Sequence, residues 1–319
     1  MLSITIPEAD CLTDEATADL AGKLLREDSF TQLVQEDADI FTEAGDVICK
    51  FRKGVIPMEH VVAAYHGLRP VALPNDNRGI AAGTLEEREA AIRYTDRVKG
   101  TINPADGVSN SKHRYRGVKK DGTLSNVVRA PEVNSGIVGY YDRSARFPYC
   151  RQTAYLNDHP EKFGQSIPLL QSCSKVFREL MPDRWAVQKD WCDRTAPDWV
   201  IPDTVYTTVT VNKNWQTACH LDAGDLSEGF GCLTAASLGD YSGYYLCFPK
   251  YKIAVDLRST DMVCANVGAE WHGNTPVRPH GRYERLSIVM YYRRGMIHCL
   301  SCDEELKRVK NRKPGDALK

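Results

Sequence analysis

The 319-residue chain has no apolar run close to the roughly 20 residues that a membrane-spanning helix requires, so a membrane protein is not expected. Its N-terminus lacks the basic and then apolar pattern of a secretory signal peptide. Lysine and arginine (41) balance aspartate and glutamate (42), and the formal net charge of -1 gives no global attraction to nucleic acid. We therefore expect a cytoplasmic or nuclear protein that is not secreted. Any attraction of this protein to a polyanion should be local.

The 11 cysteines show no disulfide framework, because they are scattered and odd in number in a chain long enough to bury a sizeable core. We predict reduced thiols, as in a cytosolic protein. Cys299 and Cys302 form a lone CxxC with no second pair at zinc-binding spacing. We interpret that pair as a structural coincidence rather than a metal site.

The pattern that indicates chemistry is His220-Leu-Asp222, followed by His272 and then by Arg285. Two imidazoles and one carboxylate can occupy one face of an octahedral ferrous ion and leave positions free for a co-substrate and O₂. The planar guanidinium of Arg285 can bind a carboxylate in bidentate fashion, as the distal end of 2-oxoglutarate requires. The alternative is that His220 is a hydrogen-bonded core histidine and Asp222 opens a turn.

The segment 205–219 is rich in valine, threonine, tyrosine and tryptophan, which is the composition of a strand. Side chains two residues apart share a face, so Asn212, His220 and Asp222 point the same way if the strand stays regular. That face is polar, whereas the opposite face, which carries Trp215, suits packing against a covering layer. A polar interior beside a metal is typical of a small β-barrel that encloses a ligand.

Further short strand-like runs follow, separated by turn residues, at 231–238, 244–248, 252–257, 262–267 and 285–292. In the last of them Arg285, Ser287 and Tyr291 share one face. Many short strands at this spacing favour a jelly roll over a parallel sheet. We therefore predict an α+β protein with a double-stranded β-helix (jelly-roll) core flanked by N-terminal helices.

Helical spacing predicts helices at 14–35, 86–98 and 163–180, and a Gly-, Ser- and Asn-rich loop is expected at 100–128. We divide the chain into an N-terminal helical and loop support region at 1–130, the jelly-roll core with its covering helices at 131–300, and a basic C-terminal tail at 301–319. The expected loop contains a basic segment that is suited to a DNA backbone or, alternatively, is a solvated loop; its cations are Lys112, Arg114, Arg116, Lys119 and Lys120.

The segments 208–225, 271–274 and 285–291 resemble the TET/J-binding-protein (JBP) dioxygenases, most closely the compact phage and protist members. The segments 135–143 and 148–151 are similar to the region that precedes the core in those members, so the resemblance covers roughly 134–295. The family uses Fe(II), 2-oxoglutarate and O₂ to oxidise the 5-methyl group of pyrimidines in DNA.

The resemblance implies catalytic, metal-binding roles for three residues and 2-oxoglutarate binding by three others. His220, Asp222 and His272 would be the iron ligands. The residues that would hold 2-oxoglutarate are Arg285, Ser287 and Asn212.

For the substrate base, the resemblance implies four contacts. Asp225 would meet the Watson–Crick edge, Tyr291 would stack on the flipped base, and Asn134 would touch the pyrimidine. Arg293 stands where TET enzymes often carry a histidine, and this departure leaves the choice of base open. The structural alternatives are a turn residue at Asp225 and a core aromatic at Tyr291.

These observations predict a dioxygenase that hydroxylates 5-methylcytosine in DNA by base flipping, and a monomer. A carboxylate at Asp225 would favour the exocyclic amine of cytosine, whereas a protonated Asp225 would suit thymine equally. Thymine hydroxylation to 5-hydroxymethyluracil is therefore the first alternative. A protein or small-molecule hydroxylase and a non-catalytic reader of modified bases are the others, since one fold hosts many functions.

Overall fold

The computed structural model describes residues 1–84, 87, 103–104, 115–118, 123–129, 132–144 and 147–311. Lys112, Arg114, Lys119 and Lys120 of the basic segment lie outside the described residues, as does nearly all of the helix expected at 86–98. The backbone of Arg116 lies in a strand. The DNA-backbone role of this segment therefore stays a prediction.

Strands dominate the described part of the chain. The first group is β1 (Leu2–Ile6), β2 (Gln32–Val34), β3 (Ala38–Thr42), β4 (Val47–Arg52), β5 (Leu73–Asn75), β6 (Asn103–Pro104), β7 (Tyr115–Val118), β8 (Leu124–Arg129), β9 (Val133–Tyr141) and β10 (Arg151–Gln152). The second group is β11 (Thr208–Lys213), β12 (Gly231–Leu238), β13 (Tyr241–Gly243), β14 (Leu246–Phe248), β15 (Ile253–Val255), β16 (Met262–Ala265), β17 (Gly273–Asn274), β18 (Val277–Pro279) and β19 (Glu284–Tyr291).

The α-helices are α1 (Asp14–Ala18), α2 (Met58–Leu68), α3 (Ala154–Asp158), α4 (Pro160–Gly164), α5 (Ile167–Leu180), α6 (Pro182–Arg194) and α7 (Cys302–Lys310). The apolar face predicted for 163–180 is confirmed in α5, which buries Leu169, Leu170, Cys173, Val176 and Phe177. None of the described helices combines the length and the apolarity needed to cross a bilayer.

The largest sheet has ten strands in the order β1-β3-β4-β16-β12-β19-β11-β9-β10, with β5 paired to β9. Its pairs are antiparallel except β1 with β3. A second sheet has the order β17-β14-β15-β2. The predicted α+β class is confirmed, and two sheets on either side of a cavity are compatible with the predicted jelly-roll core.

Strand β19 shows how the sequence separates the helical layer from the cavity. Leu286, Ile288 and Met290 are buried in the core that α2 and α5 share with the large sheet. The alternate residues Arg285, Ser287, Val289 and Tyr291 line the cavity on the other face. This is the period of two expected for a strand that is covered on both sides.

The N-terminal region differs from its expected helical and loop character. The helix predicted at 14–35 is wrong beyond residue 18, because α1 ends there and β2 follows at 32–34. Thr13, rather than Asp14, caps α1 by accepting a hydrogen bond from the Ala16 amide. The expected loop at 100–128 contains β6 and β7 and most of β8, and β1, β3 and β4 extend the large sheet. Our boundaries between regions stay a prediction.

The C-terminal segment is anchored to the core. Glu305 on α7 is 2% exposed and accepts hydrogen bonds from the amides of Cys150 and Leu300, each at 3.1 Å, and from Arg143. Cys150 also forms a disulfide with Cys299. The prediction that the thiols are all reduced is therefore wrong for this pair, whose members are 149 residues apart and could not be matched by spacing.

Gly139 allows β9 and β11 to approach each other closely. Its φ of +107° lies in the region that side chains disfavour, and a Cβ there would sit 2.6 Å from the Thr207 carbonyl oxygen. We predict that Gly139→Ala lowers the free energy of unfolding by about 1–3 kcal/mol. Urea unfolding checks this value. Gly281→Ala is the control, because its Cβ would meet nothing within 4 Å; equal midpoints for the two variants would contradict the prediction.

Candidate functional site

A cavity of about 360 Å³ lies between the two sheets. Ile137 of β9, Thr210 of β11 and Val289 of β19 line it from the large sheet, and Leu246 of β14 lines it from the small sheet. The three histidine and aspartate residues predicted as metal ligands face this cavity, as does Arg285. The sequence analysis therefore placed these four residues in one site.

His220 and His272 are held together by the backbone. The His220 amide donates to the His272 carbonyl at 2.9 Å, and the His272 amide donates back at 3.0 Å. This isolated antiparallel bridge brings the two ring centres to 4.4 Å. Asp222 completes the group, and one ligand atom of each residue lies within 4.8 Å of the others. The spacing suits a single metal ion.

The two imidazoles are oriented by carbonyl groups. The Nδ1 atom of His220 lies 2.8 Å from the Ala218 carbonyl oxygen, and that of His272 lies 2.9 Å from the Glu270 carbonyl oxygen. Because a carbonyl only accepts, each Nδ1 carries the proton and donates it. Both Nε2 atoms then offer lone pairs toward Asp222, at 3.3 Å from Oδ1 and 3.8 Å from Oδ2. Such outer hydrogen bonds orient metal ligands.

The charges of the group suit a divalent cation. Burial and the nearby charge of His220 lower the pKa of His272 to about 4, so this ring is neutral near pH 7. Burial opposes ionisation of Asp222, but its hydrogen bond to His220 and the charge of that ring hold its pKa below the usual value. Burial likewise opposes protonation of His220, yet Asp222 raises its pKa. A metal ion can take the place of the proton that this raised pKa favours on His220.

Arg285 is a buried cation with room for an anion. The residue is 4% exposed, its Nε has no hydrogen-bond partner, and no described carboxylate forms an ion pair with it. Its guanidinium carbon lies 5.3 Å from the centre of the Tyr244 ring. An isolated buried charge is costly, so the site favours a bound carboxylate.

Ser287 lies on the same strand as Arg285, and Asn212 lies on the neighbouring strand. They are register partners in β19 and β11, and both line the cavity. Asn212 is 9% exposed and its Oδ1 accepts a 2.6 Å hydrogen bond from Ser135. The structure thus brings all three residues predicted to bind 2-oxoglutarate to one wall of the cavity.

Asp225 and Tyr291 face the same cavity. Burial and the charge of Asp222 raise the pKa of Asp225 well above its usual value, and its Oδ2 has no hydrogen-bond partner among the described residues. The neutral form of Asp225 is thereby favoured, and that form has one donor and one acceptor to offer. Tyr291 is 7% exposed, and its hydroxyl lies 3.4 Å from that of Thr210.

Arg293 lines the cavity, whereas Asn134 does not belong to the lining. Arg293 forms an isolated backbone bridge with Asp225, but its side chain pairs with Asp142, at 2.9 Å from Nε and 2.8 Å from Nη2. Asn134 lies one residue before Ser135 in β9, so its side chain points to the opposite face of that strand.

The sequence analysis missed two groups of lining residues. Asn214 has a positive φ of 47°, which ends the regular alternation of β11 and turns Trp215 and Thr217 into the cavity. Arg78 enters the cavity from a loop after β5 that has no periodic pattern. The glycine that follows it, at a positive φ of 52°, was the local signal of a turn there.

The His220–Asp222–His272 group predicts a measurable metal affinity. We expect Asp222→Ala to weaken binding of Co(II), a redox-stable substitute for Fe(II), by at least about 100-fold, because even outer-shell losses cost 10–100-fold. Calorimetric titration measures this affinity. The exposed Asp240→Ala is the matched control. Unchanged Co(II) affinity in Asp222→Ala would rule out the metal site.

Residues 136–294 match the Tet_JBP family model, the oxygenase domain of the 2OGFeDO superfamily. Thymine dioxygenase JBP1 of Trypanosoma brucei brucei is 32% identical over 186 residues, which cover 56% of this chain and 22% of that protein. The bifunctional helicase and thymine dioxygenase JBP2 of Leishmania tarentolae is 34% identical over 182 residues, which cover 56% of this chain and 16% of that protein. The match therefore spans about a fifth of these relatives or less.

The solved structure of NgTET1 in complex with 5mC DNA has a similar fold. Its TM-score is 0.51 at 12% sequence identity, and the alignment covers 94% of this chain and 100% of that one. At this identity the similarity supports the fold, which agrees with the predicted jelly-roll core. Residues 136–294 therefore belong to the Tet_JBP family of oxygenase domains, as their resemblance to that family predicted.

Proposed function

We propose that this chain is an Fe(II)- and 2-oxoglutarate-dependent dioxygenase that hydroxylates the 5-methyl group of a pyrimidine in DNA. One observation carries the proposal: a single cavity holds the His220–Asp222–His272 group together with Arg285, a buried cation that has no carboxylate partner among the described residues. The predicted cofactors, Fe(II), 2-oxoglutarate and O₂, are those of the 2OGFeDO superfamily.

The donor set fits a ferrous ion. Two neutral Nε2 lone pairs and one carboxylate supply a facial set of three ligands and leave positions for the co-substrate and O₂. With them, the iron supplies the oxidising power that converts a methyl C–H bond to C–OH, which no side chain can provide. His220 and His272 would hold the ion in a fixed orientation through their Nδ1 hydrogen bonds to carbonyl oxygens.

Arg285 and Ser287 would bind the distal carboxylate of 2-oxoglutarate. The guanidinium offers a planar pair of donors, the serine hydroxyl offers a third, and Asn212 is on the neighbouring strand. Binding there would neutralise the buried charge of Arg285. A module that reads modified bases without oxidising them has no use for this second anion site, which favours an enzyme.

The base would enter the cavity only after flipping out of the duplex, at a cost of a few kcal/mol in stacking and pairing. Stacking on Tyr291 would offset about 1–3 kcal/mol of that cost. In its neutral form, which the raised pKa favours, Asp225 can donate to cytosine N3 while accepting from the exocyclic amine. It can equally donate to thymine O4 while accepting from N3–H, so Asp225 does not select cytosine.

Two bases therefore remain candidates. The sequence favoured 5-methylcytosine on the premise of a charged Asp225, and the raised pKa of Asp225 weakens that premise. Thymine is supported by the relatives that are 32% and 34% identical, both thymine dioxygenases. We propose the 5-methylpyrimidine class and treat thymine as the second specific candidate.

Nucleoside mass spectrometry tests the reaction and the base together. One duplex carries 5-methylcytosine with uracil in place of thymine, and the other carries thymine with unmethylated cytosine. With Fe(II), 2-oxoglutarate and O₂, we predict a 5-hydroxymethyl product from at least one duplex. His220→Ala should reduce it to the level of a reaction without iron, because a ligand is lost.

The exposed His280→Ala serves as the matched control and should retain the activity of the unmodified protein. No product from either duplex would exclude the proposed substrate class. Undiminished product with His220→Ala would exclude the role of that residue in metal binding.

Arg285 is expected to determine the affinity for 2-oxoglutarate. We predict that Arg285→Gln raises the apparent KM for 2-oxoglutarate about 10–150-fold, since hydrogen bonds to charged groups contribute about 1.5–3 kcal/mol. The apparent KM of Arg285→Lys should lie between those of the unmodified protein and Arg285→Gln, because lysine keeps the charge but lacks the planar pair of donors. The exposed Arg282→Gln is the control. Co-substrate dependence that is unchanged in Arg285→Gln would show that the carboxylate binds elsewhere.

A further inference from the structure

Charged and aromatic side chains lie in the wall of the cavity and beside it, and we call Arg78, Tyr141, Asp142, Arg151 and Arg293 the rim. The guanidinium carbons of Arg151 and Arg293 lie 4.7 and 5.5 Å from the centre of the Tyr141 ring. Arg78 and Arg293 also line the cavity. The rim therefore places two cations against one aromatic ring and a third, Arg78, in the wall of the cavity that the base would enter.

Two of these three arginines form no ion pair with a described residue. Arg293 is neutralised by Asp142. By contrast, the Nε of Arg78 is buried without a hydrogen-bond partner. Arg151 makes one long contact of 3.5 Å, from Nη1 to the carbonyl oxygen of Asp142. Burial lowers the pKa of both Arg78 and Arg151, although a guanidinium remains charged at any physiological pH.

Arg151 is also held in place. Its guanidinium carbon lies 4.2 Å from the ring centre of Phe147 as well as 4.7 Å from that of Tyr141, so it contacts two aromatic rings. Cation–π contacts of this kind fix the orientation of the side chain. A preorganised guanidinium loses less conformational entropy when it binds a planar anion.

A flipped nucleotide brings its own backbone to the place where these charges lie. When the base rotates into the cavity, the phosphodiester groups on either side of it have to remain at the mouth. Guanidinium groups bind phosphate oxygens in bidentate fashion. Such contacts position the strand without reading its sequence, which agrees with a cavity whose Asp225 accepts either pyrimidine.

We infer that Arg78 and Arg151 form a phosphate clamp, which binds the two phosphodiester groups flanking the flipped nucleotide. This inference rests on the proposed function, because it requires a nucleic-acid substrate. It locates a backbone contact in residues other than the basic segment at 112–120. Arg78 also lies outside the region 136–294 that matches the family model.

The salt dependence of DNA binding tests the clamp. Fluorescence anisotropy with a labelled duplex, recorded without 2-oxoglutarate so that no turnover occurs, gives the slope of log affinity against log salt concentration. We expect Arg78→Gln and Arg151→Gln each to reduce this slope by about 0.9, and the double variant by about 1.8. Arg151→Lys should restore the slope of the unmodified protein, because it restores the charge.

The exposed Arg282→Gln controls for a diffuse effect of lost charge and should leave the slope unchanged. The clamp is excluded if neither glutamine variant changes the slope, or if Arg282→Gln changes it equally. It is also excluded for Arg78 if Arg78→Gln weakens 2-oxoglutarate binding while the slope stays constant. Turnover by the unmodified protein, measured separately by mass spectrometry, distinguishes failure of the clamp from failure of the proposed function.

Discussion

The pair of backbone hydrogen bonds between His220 and His272 is the constraint on which the site depends. It joins two segments that lie 52 residues apart and outside any long strand. A side-chain hydrogen bond joins the same two segments nearby, where the Thr217 hydroxyl donates to Asn274 Oδ1 at 2.7 Å. Gly273 allows this approach, because a Cβ there would lie 3.1 Å from the Ala218 carbonyl group. The relative positions of the His220 and His272 side chains are thus determined by the backbone rather than by contacts of flexible side chains.

Two carboxyl groups that line the cavity, those of Asp222 and Asp225, have pKa values shifted in opposite directions. The pKa of Asp222 is lowered chiefly by its hydrogen bond to His220 and the charge of that ring, whereas the pKa of Asp225 is raised by desolvation and by the nearby charge of Asp222. Neighbouring carboxyl groups whose pKa values are driven apart commonly take different chemical roles. Here one would bind the metal and the other would hydrogen-bond the base. Arg285 supplies the opposite charge in the same cavity, where 2-oxoglutarate would bind.

Much of this site could be predicted from the alternation of side chains along a strand. The alternation in 285–292 placed Arg285, Ser287 and Tyr291 on one face, and the structure has them there. The regular strand assumed for 205–219 stops at Lys213, because Asn214 adopts a left-handed conformation that no residue pattern announced. His220 and Asp222 nevertheless face the cavity, because the His220–His272 bridge, and not strand alternation, positions them.

Other features depend on contacts between distant parts of the chain. The spacing of apolar residues in 14–35 suited a helix, but pairing of β2 with β15 determines the local structure at 32–34. Arg78 sits in a loop with no periodic signal, and its position is evident only when the cavity is seen. The ionisation of Asp225 likewise depends on burial, which the sequence does not display.

Glu305 has a consequence for where the folded unit ends. The family match stops at residue 294, yet this carboxylate, eleven residues later, accepts hydrogen bonds from the Cys150 and Leu300 amides and pairs with Arg143. Cys150 and Arg143 flank the stretch of chain that carries Phe147 and leads to Arg151. A fragment trimmed to residues 136–294 would lose both Glu305 and Cys299, and with them the hydrogen bonds and the disulfide that hold the segment on which Arg151 depends for its position.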